Sequence, residues 1–215
     1  MKLNKKKNFE YIIVSTIYNE SEYKYNEKNG EKQEKPDFIL KRNNEMEFGV
    51  EVTELYYNET SARLKKRKKY VEDIKKGEVD KRDIKPLHIN SLYLDIGNDN
   101  EPNYQFLFNK FTIPEYTEND YKKAIINRLE EKRNKSKEYE RNLAYIELVI
   151  YDTESFFYDY SEEETICFLK KNSDILNLIE QTIFKNVYIM TMINKKPNTI
   201  KIRNNQYQRN FKKLK

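Results

Sequence analysis

The chain has 215 residues, of which 36% are charged and 37% hydrophobic, and its formal net charge is +5. A single cysteine and a single histidine exclude a disulfide framework and a metal site built from several Cys or His ligands. The four glycines form no phosphate-binding loop, which excludes the P-loop and dinucleotide-binding classes. The mildly basic charge fits a polyanionic partner without requiring one.

The sequence offers no membrane anchor. No apolar run approaches the roughly 18 residues of a membrane span. The apolar stretch at residues 11–18 contains Ser and Thr, and Glu20 and Glu22 follow it without a small-residue cleavage site. We therefore expect mature protein from the N-terminus onward, a cytoplasmic location and no association with a membrane.

The first quarter of the chain predicts a helix followed by three strands. Residues 8–19 carry apolar side chains at helical spacing, although the β-branched run at 12–14 leaves a strand as the alternative. A short strand is predicted near 22–27. Further strands are predicted at 38–40 and 46–55, and this last pair indicates a β-hairpin.

The middle of the chain predicts one helix and an irregular segment. Residues 60–76 predict a helix with a narrow apolar stripe, which Gly77 would cap at its C-terminus. Residues 78–118 hold three prolines between short apolar runs, so we expect some strand there and no motif. We interpret 59–118 as an insertion within a single domain that spans 1–215.

Helices and strands alternate in the C-terminal half. Asn119 would cap a long helix that runs to about Arg141, and residues 145–151 predict an apolar strand. Residues 162–184 predict a helix that is interrupted at 172–174. This alternation is typical of an α/β protein with a mixed central β-sheet flanked by helices.

The remaining segments complete the sheet and add a tail. Strands are predicted at 187–193 and 199–203, and residues 204–215 form a basic tail. Cys167 lies in an apolar helical run, so we expect it in the core. His88 has no second His or Cys near it in the sequence, and a structural or surface role is expected.

Two carboxylates lie on the predicted hairpin. Asp37 stands at the start of its first strand and Glu51 lies in the second. In an extended chain Glu51 and Thr53 share one face, whereas Val50 and Val52 point to the other, toward a core. A hairpin of this length can bring Asp37 beside Glu51. Two adjacent carboxylates suit a hard cation such as Mg²⁺ or Mn²⁺, which can polarise a phosphodiester and activate water.

The residues of this hairpin also match a known sequence pattern. Pro36-Asp37 precedes one strand, Glu51 lies on the next, and Thr53 stands two positions after it. This arrangement resembles the PD-(D/E)xK nuclease superfamily, in which Pro-Asp is followed by Glu-x-Lys. Thr53 occupies the place of the lysine, and the resulting Glu-Val-Thr is similar to a recurrent variant in that superfamily.

The resemblance covers about residues 8–58 and 119–152, where the predicted order of elements is also similar. It implies a restriction-endonuclease-like core and a metal-dependent nuclease. Its metal, Mg²⁺ or Mn²⁺, would be held by Asp37, Glu51 and the carbonyl of Val52.

The helix predicted from residue 119 offers a replacement for the missing lysine. Its apolar stripe continues through Lys132, which turns this side chain toward the sheet, where a lysine is usually unwelcome. In the superfamily the lysine orients the attacking water and can migrate to another element. The resemblance thus implies that role for Lys132, with Lys135 as the second candidate. The alternative is that Lys132 extends from the helix edge into solvent.

Two further residues are candidates for the catalytic site. The superfamily often adds a Glu from its first helix, which implies Glu10 here; an ordinary solvated acid is the alternative. The Thr53 hydroxyl either helps to hold water or metal or is only a favourable strand residue. Glu54 points away from Glu51 and is excluded.

Two basic clusters fit phosphate binding, one on the helix after the hairpin and one in the C-terminal segment, which has no acid after residue 195. Lys and Arg neutralise a phosphate backbone without reading its sequence. The alternatives are a solvated helix face and a frayed tail. The candidate nucleic-acid-binding residues are Lys65, Lys66, Lys68, Lys69, Arg203 and Arg209.

Two functions stay open at this point. The first is a metal-dependent endonuclease or exonuclease acting on DNA or, less favoured, RNA, in restriction, phage defence, repair or a mobile element. The second is a non-catalytic nucleic-acid- or protein-binding factor on the same fold. Both functions are compatible with a homodimer.

Overall fold

The structure is a computed structural model that divides into two compact units, Met1–Leu55 with Lys122–Lys215, and Tyr56–Tyr121. The segment 59–118 that we interpret as an insertion lies within the second unit. The residues that the structure describes are 5–26, 36–42, 45–97, 103–139, 142–157, 160–193 and 196–206.

The described ranges contain helices and strands in nearly the predicted order. The helices are α1 (Lys5–Ile17), α2 (Glu59–Lys66), α3 (Tyr70–Lys75), α4 (Glu118–Lys135), α5 (Glu162–Lys171) and α6 (Ser173–Glu180). The strands are β1 (Tyr23–Asn26), β2 (Phe38–Arg42), β3 (Phe48–Leu55), β4 (Asn90–Asp95), β5 (Tyr104–Lys110), β6 (Ile146–Asp152), β7 (Phe184–Ile193) and β8 (Lys196–Arg203). Within these ranges no helix combines the length and the apolar character that crossing a membrane requires.

The first unit is built on a mixed six-stranded sheet in the order β1-β2-β3-β6-β7-β8. The central pairs β3–β6 and β6–β7 are parallel, and the other three pairs are antiparallel. Strand β6 is almost wholly buried, as expected of a parallel strand covered on both faces. The predicted α/β class, with a mixed sheet flanked by helices, is confirmed.

Helix α1 covers one face of this sheet. Ile13, Val14 and Tyr18 pack in one apolar cluster with Val50 and Val52 of β3. These two valines alternate with Glu51, so Glu51 points to the opposite face. The predicted division of β3 into a core-facing side and a polar side is therefore confirmed.

The prediction of one continuous helix over 60–76 is wrong. Helix α2 ends at Lys66, and α3 begins at Tyr70 after Lys69 adopts a left-handed conformation with φ of 64°. The break lets Tyr70 turn inward, where its hydroxyl donates to Asp83 at 2.5 Å. The closing glycine is as predicted, because Gly77 follows α3 with φ of 92°.

Helix α4 begins differently from the prediction. Thr117 and Asp120 cap it reciprocally: Asp120 Oδ2 accepts from the Thr117 N–H at 3.0 Å, and Thr117 Oγ1 accepts from the Asp120 N–H at 3.3 Å. Asn119 is therefore not the cap. The helix ends at Lys135, well before the predicted Arg141, and a short 3-10 turn follows it. Arg141 itself lies outside the described residues.

Cys167 was expected in the core, but it is exposed. In α5 the buried side chains are those of Thr165, Phe168 and Leu169. Their spacing defines one helical face, and Cys167 lies off it. An apolar run of four residues cannot all face inward on a helix that covers the core with one side. His88 is exposed, in line with its predicted surface role.

The second unit has its own small core. Tyr70, Ile74 and Leu87 form a buried cluster. Asp83 is fully buried and accepts hydrogen bonds from Thr60, Arg63 and Tyr70. These bonds tie α2 and α3 to the loop that leads into the hairpin β4–β5.

Candidate active site

The register of the hairpin β2–β3 puts Asp37 beside Glu51. Phe38 faces Val50 in this antiparallel pair, so Asp37, one residue before β2, lies next to Glu51, whose pKa its charge raises. Asp37 Oδ2 accepts a hydrogen bond from the Val52 N–H at 2.8 Å. At the start of β2 the Asp37 carboxylate thus accepts the hydrogen bond that a backbone carbonyl of a neighbouring strand would otherwise accept from Val52.

Pro36 and Gly49 determine how β2 enters the sheet. A Cβ at Gly49 would lie 2.4 Å from Pro36 Cγ and 2.9 Å from Leu143 Cδ1, which is too close for any side chain. Pro36 itself has a fixed φ and no N–H to extend the ladder. The close approach of these two residues therefore fixes the point at which Asp37 leaves the sheet.

Lys132 reaches this site from α4. Ile125 and Leu129 are fully buried on the same helical stripe, and Lys132 is only 8% exposed. Its Nζ donates to Glu51 Oε1 at 2.5 Å, across helix and strand. The structure therefore turns Lys132 toward the sheet, as its stripe predicts, and not into solvent.

Burial acts on both carboxyls, and the charge of Asp37 acts on Glu51. Burial raises the pKa of Glu51, the charge of Asp37 raises it further, and Lys132 works against both. Burial also raises the pKa of Asp37, opposed first by the Val52 N–H and then by Lys132. Both acids therefore hold protons more tightly than in water, unless a cation compensates their charge.

One oxygen of Glu51 has no donor. Its Oε2 is buried, and no group in the described ranges makes a hydrogen bond to it. The Tyr139 hydroxyl is buried beside it and lowers the Glu51 pKa, yet it too lacks a hydrogen bond of acceptable geometry among those residues. Burial and then the charge of Glu51 raise the pKa of Tyr139. A buried carboxylate oxygen without a donor is costly, and a cation would satisfy it.

The donor set fits a magnesium ion. Mg²⁺ is held by one or two carboxylates and keeps several waters, which matches Asp37 with the unengaged oxygen of Glu51. The N–H and C=O of one strand residue point to the same side, so the Val52 carbonyl also points past the start of β2. Among the described residues, no three or more His, Cys, Asp or Glu side chains cluster closely enough to hold an ion.

Glu10 lies near this pair. It is buried on α1 and forms an ion pair with Lys6 at 3.3 Å. Burial and then the charge of Asp37 raise the pKa of Glu10, which places its carboxylate within electrostatic reach of Asp37. Lys7 donates to the Asp37 carbonyl at 3.4 Å. The first turns of α1 therefore bring the Glu10 carboxylate and the Lys7 ammonium close to Asp37, at the edge of the site.

Thr53 and Lys135 differ in placement. Thr53 is buried and shares the strand face of Glu51. The side chain of Lys135 is half-exposed and pairs with Glu131, one turn earlier, at 2.6 Å. The structure does not bring Lys135 to the carboxylates, because its position on α4 is rotated away from the stripe that holds Lys132.

The predicted phosphate-binding residues are exposed where they are described. Those on and after α2 belong to the second unit, and Lys66 lies over the ring of Tyr56 at 4.7 Å. Arg203 is exposed at the end of β8 in the first unit, and Arg209 lies outside the described residues. Exposure is compatible with phosphate contact and equally with a solvated surface. The exposed lysines are Lys65, Lys66, Lys68 and Lys69.

Sequence reasoning also missed the buried carboxylate of Glu147 on the opposite face of the sheet. Glu147 on β6 accepts hydrogen bonds from the Tyr18 hydroxyl and from the Asn186 side chain, with the Tyr188 hydroxyl at 3.4 Å. Glu147 pairs in register with Val50, so it lies on the sheet face opposite Glu51. An acid that interrupts an otherwise apolar strand was the signal that could have revealed it.

Comparison with family models, with curated proteins and with solved structures found no match. The chemistry of the site must therefore be argued from its own residues. These are two facing carboxylates, a buried lysine on one of them and a carboxylate oxygen without a donor.

Proposed function

We propose that the chain is a metal-dependent nuclease that hydrolyses phosphodiester bonds, and that its first unit has a restriction-endonuclease-like core. One observation carries the proposal: the buried Lys132 ammonium lies 2.5 Å from Glu51 Oε1, on the carboxylate that faces Asp37. In the superfamily pattern a lysine two positions after the Glu would lie at the carboxylates, but this chain has Thr53 there. Lys132 of α4 supplies an ammonium beside Glu51 instead.

Asp37, the Oε2 atom of Glu51 and the Val52 carbonyl would hold Mg²⁺ or Mn²⁺. When bound, the ion polarises the phosphodiester, lowers the pKa of a water and stabilises the leaving oxygen. The buried oxygen of Glu51 that lacks a donor supports this assignment, because the ion would supply its missing partner.

Lys132 would orient the attacking water and stabilise negative charge on the phosphate. An ammonium has three donors, and Glu51 engages one of them in the ion pair. Glu51 thereby links the lysine to the metal position, so the nucleophile and the ion would meet at one carboxylate. Glu10 would add negative charge next to Asp37. Thr53 lies on the same face of β3 as Glu51.

The substrate class follows from charge. The exposed basic residues of both units support a polyanion, and DNA is the first substrate to test, with RNA second. None of these contacts reads sequence, since Lys and Arg at phosphates position a nucleic acid without discriminating bases.

The test uses the full chain with plasmid, linear and single-stranded DNA and with RNA, in Mg²⁺ or Mn²⁺ and in EDTA. We expect cleavage that EDTA abolishes. Lys132→Met should lower the cleavage rate by about 100-fold or more while nucleic-acid binding stays nearly unchanged, because it removes a transition-state interaction and keeps the side-chain length.

Lys135→Met is the matched control, since Lys135 lies on the same helix but pairs with Glu131. It should cleave like the unmodified chain. Equal activity of both variants would remove Lys132 from the mechanism, and no cleavage of any substrate with either metal would contradict the nuclease.

A second candidate is a non-catalytic nucleic-acid- or protein-binding factor. Two observations favour it. The described residues include no cluster of three or more His, Cys, Asp or Glu side chains that could hold an ion. The ion pair between Glu51 and Lys132 also offsets part of the negative charge that a metal would need. Nucleic-acid binding that is equally strong in EDTA, without cleavage, would favour this candidate.

A further inference from the structure

Among the described residues, the hairpin β4–β5 of the second unit presents a partly exposed apolar face. In its register Leu92 pairs with Phe108 and Leu94 with Gln105, and a shift between these pairs leaves Leu107 as an extra residue of β5. Paired residues and alternate strand residues share a face. Leu92, Leu94 and Phe108 therefore lie on one face, with Leu107 at the bulge beside them.

The other face of the hairpin packs within the unit through Asn109 and Phe106, whereas its Tyr93 and Tyr104 are exposed. The buried Asn109 side chain donates to the Ile74 carbonyl at 2.8 Å, and the Phe106 ring lies over Gly77, so that a Cβ there would be 3.3 Å from it. The outer face, in contrast, carries the aliphatic side chains Leu92 and Leu94 together with Phe108, all partly exposed. A two-stranded hairpin is marginal alone, and exposed apolar residues this concentrated mark an interaction surface.

The charge around this face disfavours a polyanion. From residue 86 to residue 109 the chain has no Lys or Arg, and its acids are Asp95, Asp99 and Glu101. A nucleic acid or an anionic membrane would find only Lys110, at the end of the hairpin, as a counter-charge on this face. Leu92, Leu94 and their partners Phe108 and Gln105 carry no charge, while Lys110, paired with Asn90, lies on the same face at the end of the hairpin. Two identical faces can therefore meet with this charge at the edge of the contact.

The available area is enough for a modest dimer. Leu92, Leu94, Ile96, Leu107 and Phe108 are each 42–54% exposed. At about 200 Å² for a fully exposed large apolar residue they offer roughly 500 Å² per copy, or about 1,000 Å² in total. That value lies at the lower limit for a specific interface, which predicts a dimer that dissociates on dilution.

We propose that the outer face of the hairpin β4–β5 docks on the same face of a second copy of this chain. A two-fold arrangement needs only one self-complementary patch, and this patch is mainly apolar, with Lys110 at its edge. The proposal does not depend on the proposed nuclease activity.

The experiment measures the molar mass of the full chain by light scattering and sedimentation over a wide range of concentrations. We expect a species of twice the 26.2 kDa chain mass that dissociates on dilution. Leu94→Glu should weaken dimerisation by about tenfold or more, because two carboxylates would lose water in an apolar interface.

Ile166→Glu is the matched control, because Ile166 is a similarly exposed apolar residue on α5. It should dimerise like the unmodified chain. Circular dichroism checks the fold, and Leu107→Ser repeats the comparison without a new charge if Leu94→Glu unfolds.

Three results would overturn the proposal. The first is a monomer at every concentration, and the second is a dimer that Leu94→Glu leaves unchanged. The third is a monomer that floats with phosphatidylcholine vesicles in a Leu94-dependent manner, since that result would assign the face to lipid.

Discussion

Two buried glutamates on neighbouring strands of the same sheet have opposite surroundings. Glu51 is 6% exposed and Glu147 is 4% exposed, so burial does not distinguish them. Glu147 accepts from neutral donors on both oxygens. Glu51 accepts from a lysine on one oxygen, has no donor on the other among the described residues, and faces the charge of Asp37.

The difference separates a structural acid from a candidate functional one. Native structures satisfy nearly all of their buried polar atoms, and the network at Glu147 does so with side chains from α1's end and from β7. A site that leaves Glu51 unsatisfied and next to another carboxylate retains a cost that a bound cation would relieve. Incomplete satisfaction, and not burial, therefore identifies the site.

The largest expected effect comes from replacing Glu51 itself. Glu51→Gln should reduce metal-dependent cleavage by about 1,000-fold or more, equivalent to about 4 kcal/mol, because it removes both a metal ligand and the partner charge of Lys132. Urea unfolding should show some loss of stability, because the buried Lys132 ammonium loses the charge of its partner, and activity is therefore compared where the variant is folded. Full activity in this variant would place the active site elsewhere.

A matched pair of tyrosines tests the two surroundings directly. Tyr18→Phe should lower the free energy of unfolding by about 2–3 kcal/mol, because it removes a donor from the buried charge of Glu147. Tyr139→Phe removes a hydroxyl that makes no well-formed hydrogen bond and should change that free energy by less than about 1 kcal/mol. Equal losses in urea unfolding would mean that both acids are held in the same way.

Gly49→Ala should disturb the site through the backbone. The added methyl group would collide with Pro36 and Leu143, at a cost of about 1–2 kcal/mol in unfolding free energy. Asp37 would be displaced, so the benefit of Mg²⁺ to thermal stability should shrink as well. A variant with unchanged stability and unchanged response to Mg²⁺ would show that the entry of β2 is adjustable.

The smallest effect is a pH dependence. Folding raises the pKa of Asp37 and of Glu51, so the protonated forms favour the folded state below the unfolded pKa, and that contribution is lost as pH rises through the folded pKa. Mg²⁺ competes with these protons. Its stabilisation should therefore grow from about pH 5 to about pH 8, by about 1 kcal/mol.

The measurement is the melting temperature with and without Mg²⁺ at each pH. Glu51→Gln removes one of the two titrating acids and should flatten the response. A Mg²⁺ effect that is constant across this range, or that survives unchanged in Glu51→Gln, would separate the ion from these carboxyls.

Local periodicity predicted much of the sheet and the orientation of its key residues. Alternation along β3 predicted Glu51 on the strand face opposite to that of Val50 and Val52, and helical spacing predicted that Lys132 turns toward the sheet. The structure agrees on both. The prediction for 60–76 failed where a tertiary contact prevailed, because the burial of Tyr70 against Asp83 interrupts a sequence that otherwise favours a helix.

The sequence by itself determined which face Glu51 and Lys132 occupy, because strand and helix periods depend only on neighbouring residues. Only the tertiary structure decided what those side chains meet. Tyr18 reaches Glu147 across 129 residues, and Lys132 reaches Glu51 across 81. Whether a buried oxygen finds a donor depends on such distant packing, which is why the contrast between Glu51 and Glu147 appears only in the folded chain.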